Sequence, residues 1–267
     1  MRVLVTRPKQ EARKWVDALV EAGFDAVALP LIGVLPAPRP EAVQAAWQRL
    51  DSFDAVMFVS GNAVDHFFAY KPAVAPVLDA QGAIKIRVFV IGPGSFSALK
   101  RNGVEPDHID MPDRDADQFD SEALWAVVGH RVVPGFRLLI VRGAGKAEAT
   151  SGVAADGAGR DWFAEQVRRA GGEVEFVVSY QRRQPDLGEP ERQLAQAAAA
   201  DGSVWLFSSS EAISNLAASC PGQSWALAKA VVTHGRIAQA ARAAGFGVVC
   251  ESRPTLAALM ASIESQQ

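Results

Sequence analysis

The feature that most constrains how this chain can fold is an internal repeat whose copies come in a permuted order. Phe58-Val59-Ser60-Gly61-Asn62-Ala63-Val64 resembles Phe207-Ser208-Ser209-Ser210-Glu211-Ala212-Ile213, each an apolar run that passes through small polar residues into a helical pattern. Residues 88–99, closing at Gly103, then resemble residues 230–241, closing at Gly245. The third pair breaks the sequence. The run from Leu138 to Gly143, with a Trp162-headed helix and the apolar run 174–178, has its counterpart in Val3 to Pro8, a helix containing Trp15 and the run 26–29, at the start of the chain. Ordinary α/β repetitiveness is the alternative reading; the matched Arg, Gly and Ser positions weigh against it. The simplest arrangement with this order is one domain built from residues 1–34 and 184–267, with a complete second domain, 40–178, inserted in its middle. Two linkers, at about 35–39 and 179–183, must then cross, and the proline-bearing stretches around them suit extended chain.

Short apolar or β-branched runs alternate throughout with amphipathic segments, which predicts an α/β fold. Strands are expected near 3–6, 26–29, 55–59, 86–91, 138–141, 174–178, 204–207, 230–233 and 247–250, with helices between them. Gly23, Gly103, Gly171, Gly172 and Gly245 follow helical segments, where a left-handed residue is favoured. The expectation is two similar flavodoxin-like domains, each a parallel sheet flanked by helices, with strand-end loops of both around one cleft. With 267 residues and 49% hydrophobic content the chain can bury a sizeable core, and a net charge of −3 gives no general attraction for nucleic acid or an anionic membrane. Two separated cysteines, Cys220 and Cys250, argue against a disulfide scaffold or cysteine zinc site, and no apolar stretch has the length of a signal or membrane span. A soluble cytoplasmic protein is expected, with a monomer as the default.

The chemistry-bearing residues gather at strand ends. Ser60, Gly61, Asn62, Gly94, Ser95, Arg142, Gly143, Ser208, Ser209, Ser210, Thr233, His234 and Arg236 sit in loops that mostly open helices. Helix N-termini bind carboxylate or phosphate, although each Ser, Thr or Asn there can equally be an ordinary N-cap. Arg7 and Arg142 hold equivalent repeat positions, and a guanidinium fork pairs well with carboxylate; a salt bridge to a neighbouring helix is the alternative. Lys146 is a weaker candidate of that kind. Gly92-Pro93-Gly94 lacks the third glycine of a dinucleotide fingerprint, Gly143-Ala144-Gly145-Lys146 lacks the P-loop spacing and hydroxyl, and Ser209 is not in a nucleophile elbow. The four histidines have no metal-ligand spacing, with His66 and His130 expected on helix faces, so no metal is predicted. Tyr180, one of two tyrosines, stands at the inferred domain exit, where a protonated phenol can donate to a departing hydroxyl or simply pack on the hinge.

Taken together, Val5-Thr6-Arg7-Pro8, Phe58 to Val64, Ile91-Gly92-Pro93-Gly94-Ser95, Ser121 to Leu124, Val141-Arg142-Gly143, Ser179-Tyr180-Gln181-Arg182 and Trp205 to Ser209 resemble the uroporphyrinogen-III synthase family over nearly the whole length. The resemblance implies a cofactor-free, cyclising lyase of tetrapyrrole biosynthesis acting on hydroxymethylbilane, a linear polycarboxylate, with the upstream bilane-forming enzyme as a candidate partner. It implies that Tyr180 assists loss of water and that Ser60, Ser95 and Ser209 are cleft hydroxyls. Ile237 stands where the second copy of the family pattern carries a threonine, which Thr233 or His234 would replace. The stretch 144–159 looks longer than usual and is expected to form a mobile loop. A non-catalytic two-domain protein that binds or responds to a polyanion is the competing reading, separated from the first by whether Tyr180 is needed for turnover.

Overall fold

In a computed structural model of the chain, residues 1–73, 86–113, 119–145 and 158–266 are described. Lys146 and most of the stretch 144–159 lie outside them. The chain divides into two compact units, one of Met1–Val34 with Arg183–Gln267 and one of Leu35–Arg182.

The first unit holds β1 (Arg2–Val5), α1 (Lys9–Glu21), β2 (Asp25–Ala28), α7 (Glu189–Ala198), β9 (Val204–Phe207), α8 (Ser210–Ser219), β10 (Lys229–Val232), α9 (Gly235–Ala243), β11 (Val248–Glu251) and α10 (Leu256–Glu264). Its strands pair in parallel in the order β11-β10-β9-β1-β2. Val3 and Val5 face one core with Leu206, Val231 and Leu259, while Leu4 faces another with Trp205, Phe207, Trp225 and Phe246. This alternation on β1 follows from the two-residue period of a strand covered on both faces.

The second unit holds α2 (Pro40–Gln48), β4 (Ala55–Phe58), α3 (Gly61–Phe68), β5 (Arg87–Val90), α4 (Pro93–Arg101), β6 (Ile109–Asp110), α5 (Ser121–Val128), β7 (Arg137–Ala144), α6 (Ala158–Arg169) and β8 (Glu173–Arg183). A further strand, β3 (Gly33–Pro36), straddles the boundary between units, and the sheet order is β3-β8-β7-β4-β5-β6. Relabelling the inserted strands from β7 makes the two topologies coincide. β7, β8, β4, β5 and β6 occupy the places of β1, β2, β9, β10 and β11, the pairing that the permuted repeat predicts for the first four. The central equivalents β4 and β9 are buried along their whole length.

Several differences from the sequence reading have local causes. Beside the two-stranded linker that the sequence suggests, residues 179–183 continue β8, and residues 35–36 belong to β3, its neighbour in the sheet. The edge strand β6 is only two residues long and rests on a forked ion pair, Arg87 to Asp110 at 2.8 and 2.7 Å, rather than on an apolar run. Gly171 takes the left-handed conformation after α6 (φ 84°), whereas Gly172 does not; a Cβ on Gly172 would lie 2.9 Å from the Phe136 carbonyl oxygen, so close packing is what requires it. His130 sits in a short 3₁₀ turn, Gly129–Arg131, and not on an α-helix face.

Candidate active site

In a sheet of this winding the direction of chain progression reverses between two neighbouring strands, and the loops leaving their carboxyl ends diverge to open a crevice. In the second unit that point falls between β7 and β4. Phe58 pairs with Val141, which sets Arg142 and Gly143 level with Val59 and Ser60, and Gly143 in turn pairs with Tyr180 of β8. Ser60, Gly143 and Tyr180 thus form a row at the carboxyl edge of the sheet.

The register there contains an irregularity: Arg142 pairs with Val178 but Gly143 with Tyr180, leaving Ser179 as an extra residue in β8. A bulge re-aims the side chain that follows it. Ser179, fully buried, donates its hydroxyl proton to the Ala63 carbonyl oxygen of α3 at 3.1 Å. Tyr180, 4% exposed, lays its ring against the Gly143 backbone, where an added Cβ would lie 2.3 Å from Cζ. Its hydroxyl is 3.1 Å from Ser60 Oγ, which also accepts the Ala63 N–H at 3.1 Å as the N-cap of α3. Because Ser60 already accepts from the backbone, its own proton is available to the phenol oxygen.

Two helix N-termini adjoin this row. Gly61 starts α3 and a Cβ on it would meet the Gly94 carbonyl oxygen at 3.3 Å, so the first turns of α3 and α4 lie together. Asn62 lies in the first turn of α3, and exposed Gly94 and buried Ser95 lie in that of α4. Their backbone donors and dipoles suit an anion.

His66, unassigned a function in the sequence reading, stacks on Tyr180 with ring centroids 5.7 Å apart and planes 23° from parallel. Burial lowers its proton affinity below the ordinary histidine value, opposed by the charge of Asp65, itself held by Arg101 at 3.3 Å and Asn102 at 3.2 Å. The folded protein therefore binds fewer protons here than the unfolded chain. The neutral ring's contribution to stability is full above about pH 6.5 and is lost as pH falls through the lowered folded value. His66→Gln should flatten the decline in denaturation midpoint below pH 6.5, measured by urea unfolding across the pH range; an unchanged slope would refute the assignment.

Arg142 and Gly143 were expected beyond the strand end, but both lie inside β7, because the extended β8 lengthens its partner. Gly143 consequently heads no helix, and its function here is to admit the tyrosine ring. Arg142 is buried, its guanidinium 4.8 Å from the Phe176 ring. Its repeat equivalent Arg7 binds Glu11 of α1 at 3.1 Å and stacks on Trp15 at 4.1 Å, the salt-bridge alternative to carboxylate binding. In the first unit the corresponding reversal lies between β1 and β9, where Arg7, Ser208 and Thr233 line a shallow crevice. Ser209 caps α8 by accepting from the Glu211 N–H at 3.2 Å, and Ser210 is the first residue of that helix. His234 caps α9 through Nδ1, which accepts from the N–H of the exposed Arg236 at 3.1 Å. Among the described residues, no group of three His, Cys, Asp or Glu is placed to hold a metal, and no helix is long and apolar enough to cross a membrane.

A family model described as uroporphyrinogen-III synthase HemD matches residues 13–261. The chain belongs to the uroporphyrinogen-III synthase family. Among curated relatives, a porphyrin biosynthesis protein HemD of Ruminiclostridium josui is 27% identical over 139 residues, covering 52% of this chain and 26% of that protein. A uroporphyrinogen-III synthase of Chlorobaculum parvum is 31% identical over 104 residues, covering 38% and 39%. The chain thus spans well under half the length of either. Two solved structures share the fold: uroporphyrinogen-III synthetase from Helicobacter pylori 26695, with a TM-score of 0.57, 12% identity and 100% of both chains covered, and a mutant uroporphyrinogen III synthase from Thermus thermophilus, with a TM-score of 0.54, 16% identity and 100% of this chain and 98% of that one covered. Within this uroporphyrinogen-III synthase family member the two repeat copies differ in the first turn after β5 and β10. Ser95, 5% exposed, occupies the place of Ile237, 6% exposed, and Ile237 packs into the apolar core of the first unit.

Proposed function

We propose that this chain converts hydroxymethylbilane to uroporphyrinogen III, with loss of the terminal hydroxyl as water, closure of the macrocycle and inversion of ring D. The observation that carries this reading is the Tyr180 hydroxyl, bound to Ser60 at the crevice-forming edge of the sheet. As the C–O bond of the substrate's hydroxymethyl group breaks, the adjacent pyrrole nitrogen supplies the electron pair and an azafulvene forms. Tyr180 gives its proton to the departing oxygen, and Ser60 turns its own hydroxyl proton toward the phenolate left behind. Ring D attacks the azafulvene through its substituted α-carbon to form a spiro intermediate; the bond from that carbon to the methylene shared with ring C then breaks, the methylene re-attaches at the free α-carbon of ring D, and the proton lost from that carbon returns to the Tyr180 phenolate. Every step is redox-neutral and requires no cofactor.

Much of the selectivity in this reading is orientation, since the bilane also closes without inversion when free in solution. We assign its acetate and propionate arms to anion donors at the carboxyl edges: Asn62, Gly94, Ser95 and Arg142 in the second unit, and Arg7, Ser208, Ser209, Ser210, Thr233, His234 and Arg236 in the first. The reading places the enzyme in the cytoplasm, as a monomer, receiving an unstable substrate from the bilane-forming enzyme. The test is an assay on freshly generated hydroxymethylbilane, with type I and type III isomers separated after oxidation. Type III product in excess is expected; a mixture identical to the protein-free control would refute the reading.

A further inference from the structure

We infer that helix α3 is a clamp that sets the position of Tyr180, with His66 and Ser179 as its two positioning residues. The proposal rests on the function proposed for Tyr180 but is argued from contacts that stand without it. α3 reaches the strand bearing the tyrosine at three points within its first two turns. Ser60, its N-cap, takes the phenol oxygen; Ala63 accepts the Ser179 hydroxyl through its carbonyl; and His66 lies along the phenol ring. Ala63 ties two of these together, because its N–H holds Ser60 Oγ while its carbonyl holds the residue before Tyr180.

The spacing explains why one helix can do this. Ser60, Ala63 and His66 follow at three-residue steps, so the cap hydroxyl, the Ala63 backbone and the His66 ring each reach the Ser179–Tyr180 segment of β8. The extra residue Ser179 supplies the complementary feature on the strand, since without the bulge the tyrosine would take the opposite face of the sheet. A phenol acting on a leaving group has to be held to within a fraction of an ångström, and such precision comes from side chains locked by packing and by hydrogen bonds behind them. His66 is suited to the ring contact because it is flat and because burial favours its neutral form, which places no second charge beside the phenol.

The experiment uses the full chain in a Tyr70→Phe background, which leaves Tyr180 as the only tyrosine. Tyrosine labelled with ¹³C at Cε then reports the ring directly by NMR, while kcat and KM are measured on hydroxymethylbilane. His66→Ala should move the Cε resonances and lower kcat about tenfold with KM within twofold. His66→Phe, which keeps a flat ring, should restore most of both. Ser179→Ala should likewise shift the resonances and lower kcat, with Ser179→Thr as the rescue. Melting curves for each variant separate these effects from unfolding. Unchanged Cε resonances and kcat in folded His66→Ala and Ser179→Ala overturn the clamp, as does an equal loss in His66→Phe and His66→Ala. If the parent makes no type III product, the proposed function fails, yet the NMR comparison still decides whether α3 holds the ring.

Discussion

Replacing Tyr180 by phenylalanine is expected to lower kcat for hydroxymethylbilane by about 100- to 10,000-fold, the range spanned by a positioned proton donor. The substitution removes one oxygen and leaves the ring, so the contact with Gly143 and the stack with His66 persist. Ser60, which the phenol hydroxyl meets, keeps its backbone bond to Ala63. The stability cost should therefore stay at about 1 kcal/mol, the net value of one hydrogen bond. The assay separates two accounts. If the phenol protonates the leaving group, turnover collapses while KM changes little, and the residual product reverts to the uninverted isomer of the spontaneous closure. If Tyr180→Phe retains parental kcat while substitutions at Arg7 or Arg142 weaken binding, proton donation by Tyr180 is refuted and the closure runs on binding and orientation alone.

Gly143→Ala should be nearly as damaging, although it removes no functional group. Its Cβ would lie 2.3 Å from Tyr180 Cζ and 2.6 Å from both Cε atoms, all of them ring atoms with no flexible end to yield. Either β7 and β8 separate locally or the ring turns out of the row, and in both cases the 3.1 Å contact with Ser60 is lost. Overpacking of this kind costs about 1–3 kcal/mol, which a folded domain can survive. The expected result is a folded protein with a lowered melting temperature and a kcat loss approaching that of Tyr180→Phe. Full activity in Gly143→Ala would mean that the ring position does not matter to the chemistry. Arg142→Ala offers a contrast, because it should act through ligand binding and packing on Phe176 while leaving the tyrosine in place.

These expectations draw on features that the sequence reveals to different degrees. The central strands are legible because parallel strands covered on both faces need continuous apolar runs, as in Ala55–Phe58 and Val204–Phe207. The permutation is legible because equivalent strands feed equivalent caps, and Ser60 and Ser209 do cap their helices. The short strands Gly33–Pro36 and Ile109–Asp110 are not, since the first carries a proline at an edge and the second depends on an ion pair from another strand. The bulge at Ser179 leaves no trace in composition, because register is decided by what β8 meets in β7 and α3. His66 reads as an ordinary helix residue until the topology brings it to a tyrosine 114 positions away. Gly143 reads as a backbone donor for an anion, and only the parallel register discloses that the space above it is already filled.

The permuted architecture also bears on how the chain is made. Residues 35–182 leave the ribosome as an uninterrupted stretch and can collapse at once, whereas β1 and β2 must wait for β9, whose Val204 pairs with Val3, to arrive about 200 residues later. During that interval β1 has a partner on one side only, with Val3, Leu4 and Val5 along an open edge, the kind of surface that recruits foreign strands. Nascent-chain aggregation should accordingly peak for arrested lengths between the emergence of β2 and that of β9.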